Sequence, residues 1–293
     1  YYKIINSQAK ENRVFEYRLD KRVVDDFVKS LPFPLTPTQK NALDEIFENL
    51  KSKCRMNRLL IGDVGSGKTI VALISAFYAV KCGYQVAIVA PTEILAEQHF
   101  NNAKRFFDGF NINVAFLSGS VKGAERKERE RDIASGKTDV VIGTHSVFSK
   151  TVKFRKLSFV VIDEQHKFGV AQKYDLQEKG AGVDTLTLTA TPIPRSVLML
   201  LYDELQLSEI DKSHKTKVKT FLVPDYKKDG MFSYLRDEAK KGNQSSIVCP
   251  KICDSEGMET YGAKTLFEEL KNGVFSDVNV ALIYGKMKAK EKS

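Results

Sequence analysis

The amino-acid sequence predicts a doubly wound parallel α/β sheet followed by a second, partial unit of the same kind. Three observations carry this. After about residue 55, short β-branched runs alternate with longer helical patterns, the signature of βα units. Most of those runs are rich in Val, Ile or Leu with little polar alternation, as strands covered by helices on both faces must be. The alternation then resumes beyond a polar, basic stretch, DKSHKTKVKT at residues 211–220, which reads as a linker.

In chain order, residues 1–30 carry mixed charge and one amphipathic stretch, 23–28, and read as a connector from an upstream domain. The first domain, 31–211, has strand candidates at 58–62, 85–90, 113–117, 139–143, 158–163 and 185–189. The helix at 69–82 is apolar nearly all round and stops at Gly83, so it should be buried and glycine-capped. Another, 92–107, opens on Thr92 with Glu93 beside it, suited to a helix start. By contrast 124–134, AERKERERDIA, is charged on almost every face. Its acids nearly offset its bases, so it reads as a solvated helix rather than a nucleic-acid arm. In the second domain, 212–293, strands are expected at 220–223, 245–248 and 278–284, with helices at 230–241 and 263–271. Three strands and two helices are too few to close a core, so this domain is expected to be truncated.

Composition narrows the function. A net charge of +9 and a pI near 9.2 favour a polyanionic partner such as nucleic acid, although a lysine-rich composition at large would give the same balance. The longest apolar stretch, 70–80, is interrupted by Ser75 and is too short to span a membrane. With no charged-then-apolar leader, the expectation is a cytoplasmic protein without a membrane partner. Cys54 and Cys82 are isolated, and Cys249 and Cys253 flank Pro250 without a second pair of ligands. All four read as reduced thiols, with no zinc site.

The strongest chemical signal is Gly62-Asp63-Val64-Gly65-Ser66-Gly67-Lys68-Thr69, a phosphate-binding loop between a strand and a helix. Its glycines let backbone N–H groups curl inward onto phosphates, and the helix N-terminus adds its positive end. Lys68 supplies a point charge for the β and γ phosphates, and the Thr69 hydroxyl is a magnesium ligand. These residues are expected to bind ATP with Mg2+. Such a loop needs an acidic element on a nearby strand, and Val160-Val161-Ile162-Asp163-Glu164-Gln165-His166 provides it. Asp163 would hold the magnesium through water, while Glu164 would orient and deprotonate the attacking water.

Further segments resemble superfamily 2 helicases. Phe33-Pro34-Leu35-Thr36-Pro37-Thr38-Gln39 is similar to their Q-motif, in which an aromatic residue stacks on adenine and a Gln reads its edge. Phe33 and Gln39 would take those roles, with a core Phe and a helix-surface Gln as the plain alternative. The segment beginning Ala90-Pro91-Thr92 looks like motif Ia, and Gly143-Thr144-His145 like the next DNA-facing loop. Their hydroxyls and N–H groups could grip phosphates without reading bases. Thr189-Ala190-Thr191-Pro192 resembles motif III. The resemblance assigns His166, Thr189 and Thr191 to coupling the acidic pair with the nucleic-acid side.

The series as a whole resembles the RecG family of ATP-dependent DNA helicases. LPFPLTPTQ, GDVGSGKT, APTEILAEQH, IGTHSVF, VVIDEQHKFGV and TATPIPR carry it from Leu31 to Glu291. The resemblance implies two RecA-like domains in a monomeric motor that remodels forks and Holliday junctions by translocating on branched duplex DNA. It also implies that the family's wedge domain and motifs V and VI lie outside this chain. Tyr284-Gly285 stands where the family has His-Gly. Two alternatives remain: a motor of the transcription-repair coupling factor type, which shares GDVG, FGV and TATPIPR, and a P-loop switch ATPase that does not act on DNA. A guanine-reading Asn-Lys-x-Asp is missing, and Leu117-Ser118-Gly119 does not complete an ABC-type signature.

Overall fold

A computed structural model of the chain describes residues 15–18, 21–163, 182–190, 206–211, 219–251, 262–284 and 287. The chain divides into two units, Tyr1–Lys215 and Thr216–Ser293.

The first unit is built on a seven-stranded sheet. Its strands are β1 (Asn57–Gly62), β2 (Gln85–Val89), β3 (Val114–Leu117), β4 (Val140–Gly143), β5 (Leu157–Asp163), β6 (Asp184–Thr189) and β7 (Gln206–Ile210). They lie in the order β3-β4-β2-β5-β6-β1-β7, and each neighbouring pair is parallel. The six strands expected from the sequence form within one residue of their expected ends, and β7 joins them on the far side of β1.

Alternating side chains explain why these runs are apolar throughout. Val86 and Ile88 of β2, Val140 and Ile142 of β4, and Phe159 and Val161 of β5 enter one core. Their neighbours Ala87, Val89, Val141, Val160 and Ile162 enter the core on the other face. A strand buried on both sides has no position for a polar alternation.

The first core is covered by α1 (Lys21–Ser30), α2 (Pro37–Lys51), α3 (Lys68–Lys81) and α4 (Glu93–Phe107). Residues 70–80 of α3 are all buried, and Gly83 follows with φ 86°, the left-handed conformation that ends a helix most easily at glycine. The thiol of Cys82, at the end of this helix, is pushed up to about 11 by burial. The second core takes Ile133 from α5 (Gly123–Ser135), the only buried residue of that helix. Its charges pair along the surface, Arg126 with Glu130 and Arg129 with Glu125, as a solvated helix allows.

The segment read as a connector contributes to the first core. Phe27 of α1 is fully buried and stacks on Phe77 of α3 with ring centroids 4.4 Å apart, a side chain worth about 1.5–3 kcal/mol of burial. Tyr17 is 4% exposed, its ring lying near Tyr78 of α3 and its hydroxyl donating to the Ser158 carbonyl of β5 at 3.0 Å. The Tyr84 hydroxyl closes this strap by donating to the Glu16 carbonyl at 2.9 Å.

At the other edge, the buried guanidinium of Arg58 on β1 ties three elements together. It donates to Glu45 and Asn49 of α2 and to Ser208 of β7.

The second unit departs from the expectation. Helices α6 (Lys228–Lys240) and α7 (Ala263–Asn272) form, α6 starting two residues before its expected N-terminus. The strands expected at 220–223, 245–248 and 278–284 do not: none of these residues lies in a strand or a ladder pairing. Leu222 is 99% exposed and Val248 89%. β-branched composition suits a pleated, half-buried surface, and without burial or a paired neighbour it does not make a strand.

Among the described residues, no helix is long and apolar enough to cross a membrane. Cys54, Cys82 and Cys249 are free thiols, while Cys253 lies outside the described residues.

Candidate functional site

In a parallel doubly wound sheet, ligands bind outside the carboxyl ends of the strands, where the loops converge. Apart from Phe33 and Gln39, which precede β1, the described motif residues sit on that edge or at the start of a helix leading from it. Register fixes the level: Ile61 of β1 aligns with Thr189 of β6, and the preceding Leu188 aligns with Asp163 of β5. The loop after Gly62, Thr189 and Asp163 therefore end side by side. β6 separates β1 from β5, which places those two strands about 10 Å apart.

The phosphate-binding loop starts at Gly62, where a Cβ would meet Ser66 Oγ at 2.6 Å and the Ile210 carbonyl at 3.0 Å. It turns through a bond from Ser66 N–H to the Asp63 carbonyl at 3.1 Å. Gly65 and Gly67 adopt φ of 79° and 86°, conformations that cost an L-residue. Asp63, Val64 and Gly65 are exposed, whereas Ser66 is 4% exposed. The Ser66 hydroxyl has no hydrogen-bond partner among the described residues, an orphaned donor inside the loop. The amine of Lys68 donates to the carbonyls of Gly62 at 2.6 Å and Asp63 at 2.9 Å. It is held at the mouth of the loop by acceptors that a phosphate can replace. Thr69 follows in the first turn of α3, partly exposed.

Gln39 reaches the same loop from α2. Its backbone N–H donates to Thr36 Oγ1 and its Oε1 accepts from the Thr36 N–H at 2.9 Å, a reciprocal cap that starts α2. Its Nε2 donates to the Ser66 carbonyl at 2.8 Å. A Cβ on Gly67 would collide with that nitrogen. Phe33, expected beside it, packs edge-to-face on Phe106 near the end of α4 and stays 40% exposed.

Asp163, at the end of β5, has a partner that sequence spacing did not disclose. His99 of α4 is 6% exposed, and its Nε2 lies 2.8 Å from Asp163 Oδ2. The two residues are 64 positions apart, although His99 closes the APTEILAEQH segment.

The loops expected to face nucleic acid are cross-linked. Thr92 caps α4 by accepting from the Leu95 N–H at 3.4 Å and is itself exposed, beside the partly exposed Pro91. The Glu93 carboxylate accepts from the hydroxyls of Ser118 and Ser120 in the loop after β3. These bonds, Ser118 first, hold its carboxyl below the usual glutamate range. Gly143 packs so closely on the Leu117 carbonyl that a Cβ has no room. Thr144 is 7% exposed, its N–H donating to Leu117 and its hydroxyl paired with Ser146. Burial makes Thr144 a brace between loops, while His145 beside it is the exposed residue. Thr189 is 3% exposed at the end of β6. Glu164, His166 and Thr191 lie outside the described residues.

The family model of the DEAD/DEAH box helicases matches residues 36–200. The chain belongs to the DEAD/DEAH box helicases. It is 39% identical over 288 residues to the ATP-dependent DNA helicase RecG of Bacillus subtilis, covering 98% of the chain and 42% of that protein. It is 40% identical over 277 residues to RecG of Thermotoga maritima, covering 94% of the chain and 36% of the relative. A solved structure of RecG bound to a three-way DNA junction superimposes with a TM-score of 0.76 at 37% identity, over 93% of the chain and 36% of that protein. A DEAD-box helicase solved with single-stranded RNA has a TM-score of 0.67 at 21% identity over 94% of the chain and 60% of that protein, a likeness of fold alone. The chain thus spans about two fifths of the length of the RecG proteins it resembles. The similarity to RecG extends along nearly the whole chain.

Proposed function

We propose that the chain is the ATP-driven motor of a RecG-type DNA helicase, coupling ATP hydrolysis to movement on branched duplex DNA. The observation that carries this reading is a phosphate-binding loop and an acidic strand end at one level of a parallel sheet, in a chain about 40% identical to RecG proteins along nearly its whole length.

The residues present suit a nucleoside triphosphate with magnesium. The orphaned Ser66 hydroxyl, the inward-turned loop and the Lys68 amine make an anion cradle. Magnesium needs few protein ligands because it keeps water and phosphate oxygens in its shell, so Thr69 and Asp163 suffice. When bound, the ion neutralises charge on the β and γ phosphates. Lys68 would exchange the carbonyls of Gly62 and Asp63 for phosphate oxygens, and Gln39, whose carboxamide bonds the Ser66 carbonyl, is proposed to read the adenine edge. Glu164 is proposed to take the proton of the attacking water, and His166 and Thr191 to join Thr189 in coupling. Pro91, Thr92, Gly143, Thr144 and His145 frame the DNA face, Thr92 and His145 by contact and Thr144 by support. We divide the chain at residues 31–211 and 212–293, and read it as a monomer acting in the cytoplasm.

Replacing Lys68 by Ala tests the site. The lysine serves ligand phosphates and not the core, so the variant should melt like the parent yet show no calorimetric heat of ATP binding with magnesium. Hydrolysis measured with and without a three-way junction tests the motor. Parental affinity in the variant, or a rate that ignored the junction, would refute the proposal.

A further inference from the structure

We propose that His99 is a positioning residue that holds the Asp163 carboxylate for its metal and ties it to the nucleic-acid face through α4. The inference rests on the ATP-site reading above and adds a residue to it.

An ionised carboxylate only accepts hydrogen bonds, so at 2.8 Å the His99 Nε2 must carry the proton and donate to Oδ2. Both side chains are withdrawn from solvent, 8% exposed for His99 and 14% for Asp163, so water competes poorly for this bond. A carboxylate offers about four acceptor directions, and the imidazole occupies one. The others remain to serve the ion and its water, with the carboxylate's rotation fixed. Without the imidazole, Asp163 can turn about its side-chain torsions and the metal must pay that ordering cost when it binds.

The place of His99 on its helix gives the bond a second consequence. α4 is one uninterrupted helix of 15 residues, opened by Thr92 and Glu93. Glu93 grips Ser118 and Ser120 on the DNA side, and His99 lies six residues later, about 9 Å along the axis. A helix transmits displacement along its axis as a unit, so a shift of its first turn on engaging DNA arrives at Asp163.

Binding of a fluorescent ATP analogue, titrated with magnesium, tests the proposal in the parent, His99→Asn and His99→Gln. The Gln amide nitrogen reaches the position of Nε2, whereas the Asn amide falls short of it. Partners that orient metal ligands are worth about 10- to 100-fold in metal affinity. His99→Asn should therefore need at least about 10-fold more magnesium for half-maximal binding, with His99→Gln restored to near the parent and analogue affinity at saturating magnesium close to parental. Thermal melts confirm folding, and His99→Leu is a second loss variant if His99→Asn does not fold. A magnesium dependence in the loss variant equal to the parent's, or Gln as impaired as Asn, would overturn the proposal alone. A parent whose nucleotide binding ignored magnesium would overturn the ATP-site reading beneath it.

Discussion

Glu93 shows how one carboxylate can join two loops. Its oxygen accepts from both Ser118 and Ser120, which favours the ionised form and lowers its pKa on folding. A depressed folded pKa contributes stability that is complete above the ordinary glutamate range and is lost as pH falls through the lowered value. The melting temperature of Glu93→Gln should therefore lie below the parent's at pH 7 and converge with it on acidification below the usual glutamate range. A gap that stayed constant over that range would remove the charge from the explanation. Gly67 makes a complementary case from backbone. Its φ of 86° costs an L-residue about 1–2 kcal/mol, and a methyl would also displace the Gln39 amide from the Ser66 carbonyl. Gly67→Ala should lower unfolding free energy by at least that amount in denaturant titrations and abolish ATP-analogue binding.

Among the elements, legibility followed burial. β2, β4 and β5 carry apolar side chains on both faces, so composition alone located them. β7 escaped notice because QLSEI mixes polar and apolar positions, as an edge strand does, and its Ser208 faces the Arg58 guanidinium rather than a core. The expected strands of the second unit failed for the converse reason. Runs such as TFLV and SSIV have the right residue types, yet without a paired neighbour they stay exposed. Amide exchange should discriminate: 220–223 and 245–248 are expected to exchange within seconds to minutes, and β2 and β5 only through global opening. In the candidate site, the placement of the loop glycines, Lys68 and Asp163 at the strand ends was legible because motif spacing fixes it. The bond from His99 was not, since it joins residues far apart in sequence and carries no spacing. That Thr144, expected at the phosphate face, is buried and braces a loop was not legible, because a hydroxyl at a strand end looks the same whether it faces solvent or a neighbouring loop.

For the molecule as a whole, charge sets the terms of association. A net charge of +9 with exposed Thr92 and His145 at the loop edge favours contacts to phosphate, which carry no base information. DNA binding is expected to be indifferent to sequence and to weaken steeply with salt, by about 10³-fold between 50 and 200 mM if some six phosphates are engaged. Fluorescence anisotropy on two junctions of unrelated sequence measures both properties, and level affinity across that range would contradict them.

The strap at Tyr17 determines where mechanical load enters the first unit. Its hydroxyl grips Ser158 near the start of β5, and its ring rests near Tyr78 on α3, the helix that begins with Lys68. A pull on the chain ahead of Phe15 would thus be borne jointly by the strand ending in Asp163 and the helix opening at the phosphate-binding loop. Ser158 lies five residues from Asp163, about 16 Å along the strand. Central strands yield only when several ladder bonds shear at once, so the anchorage is stiff. Force carried through this strap would reach the two halves of the nucleotide site together, without prising one from the other.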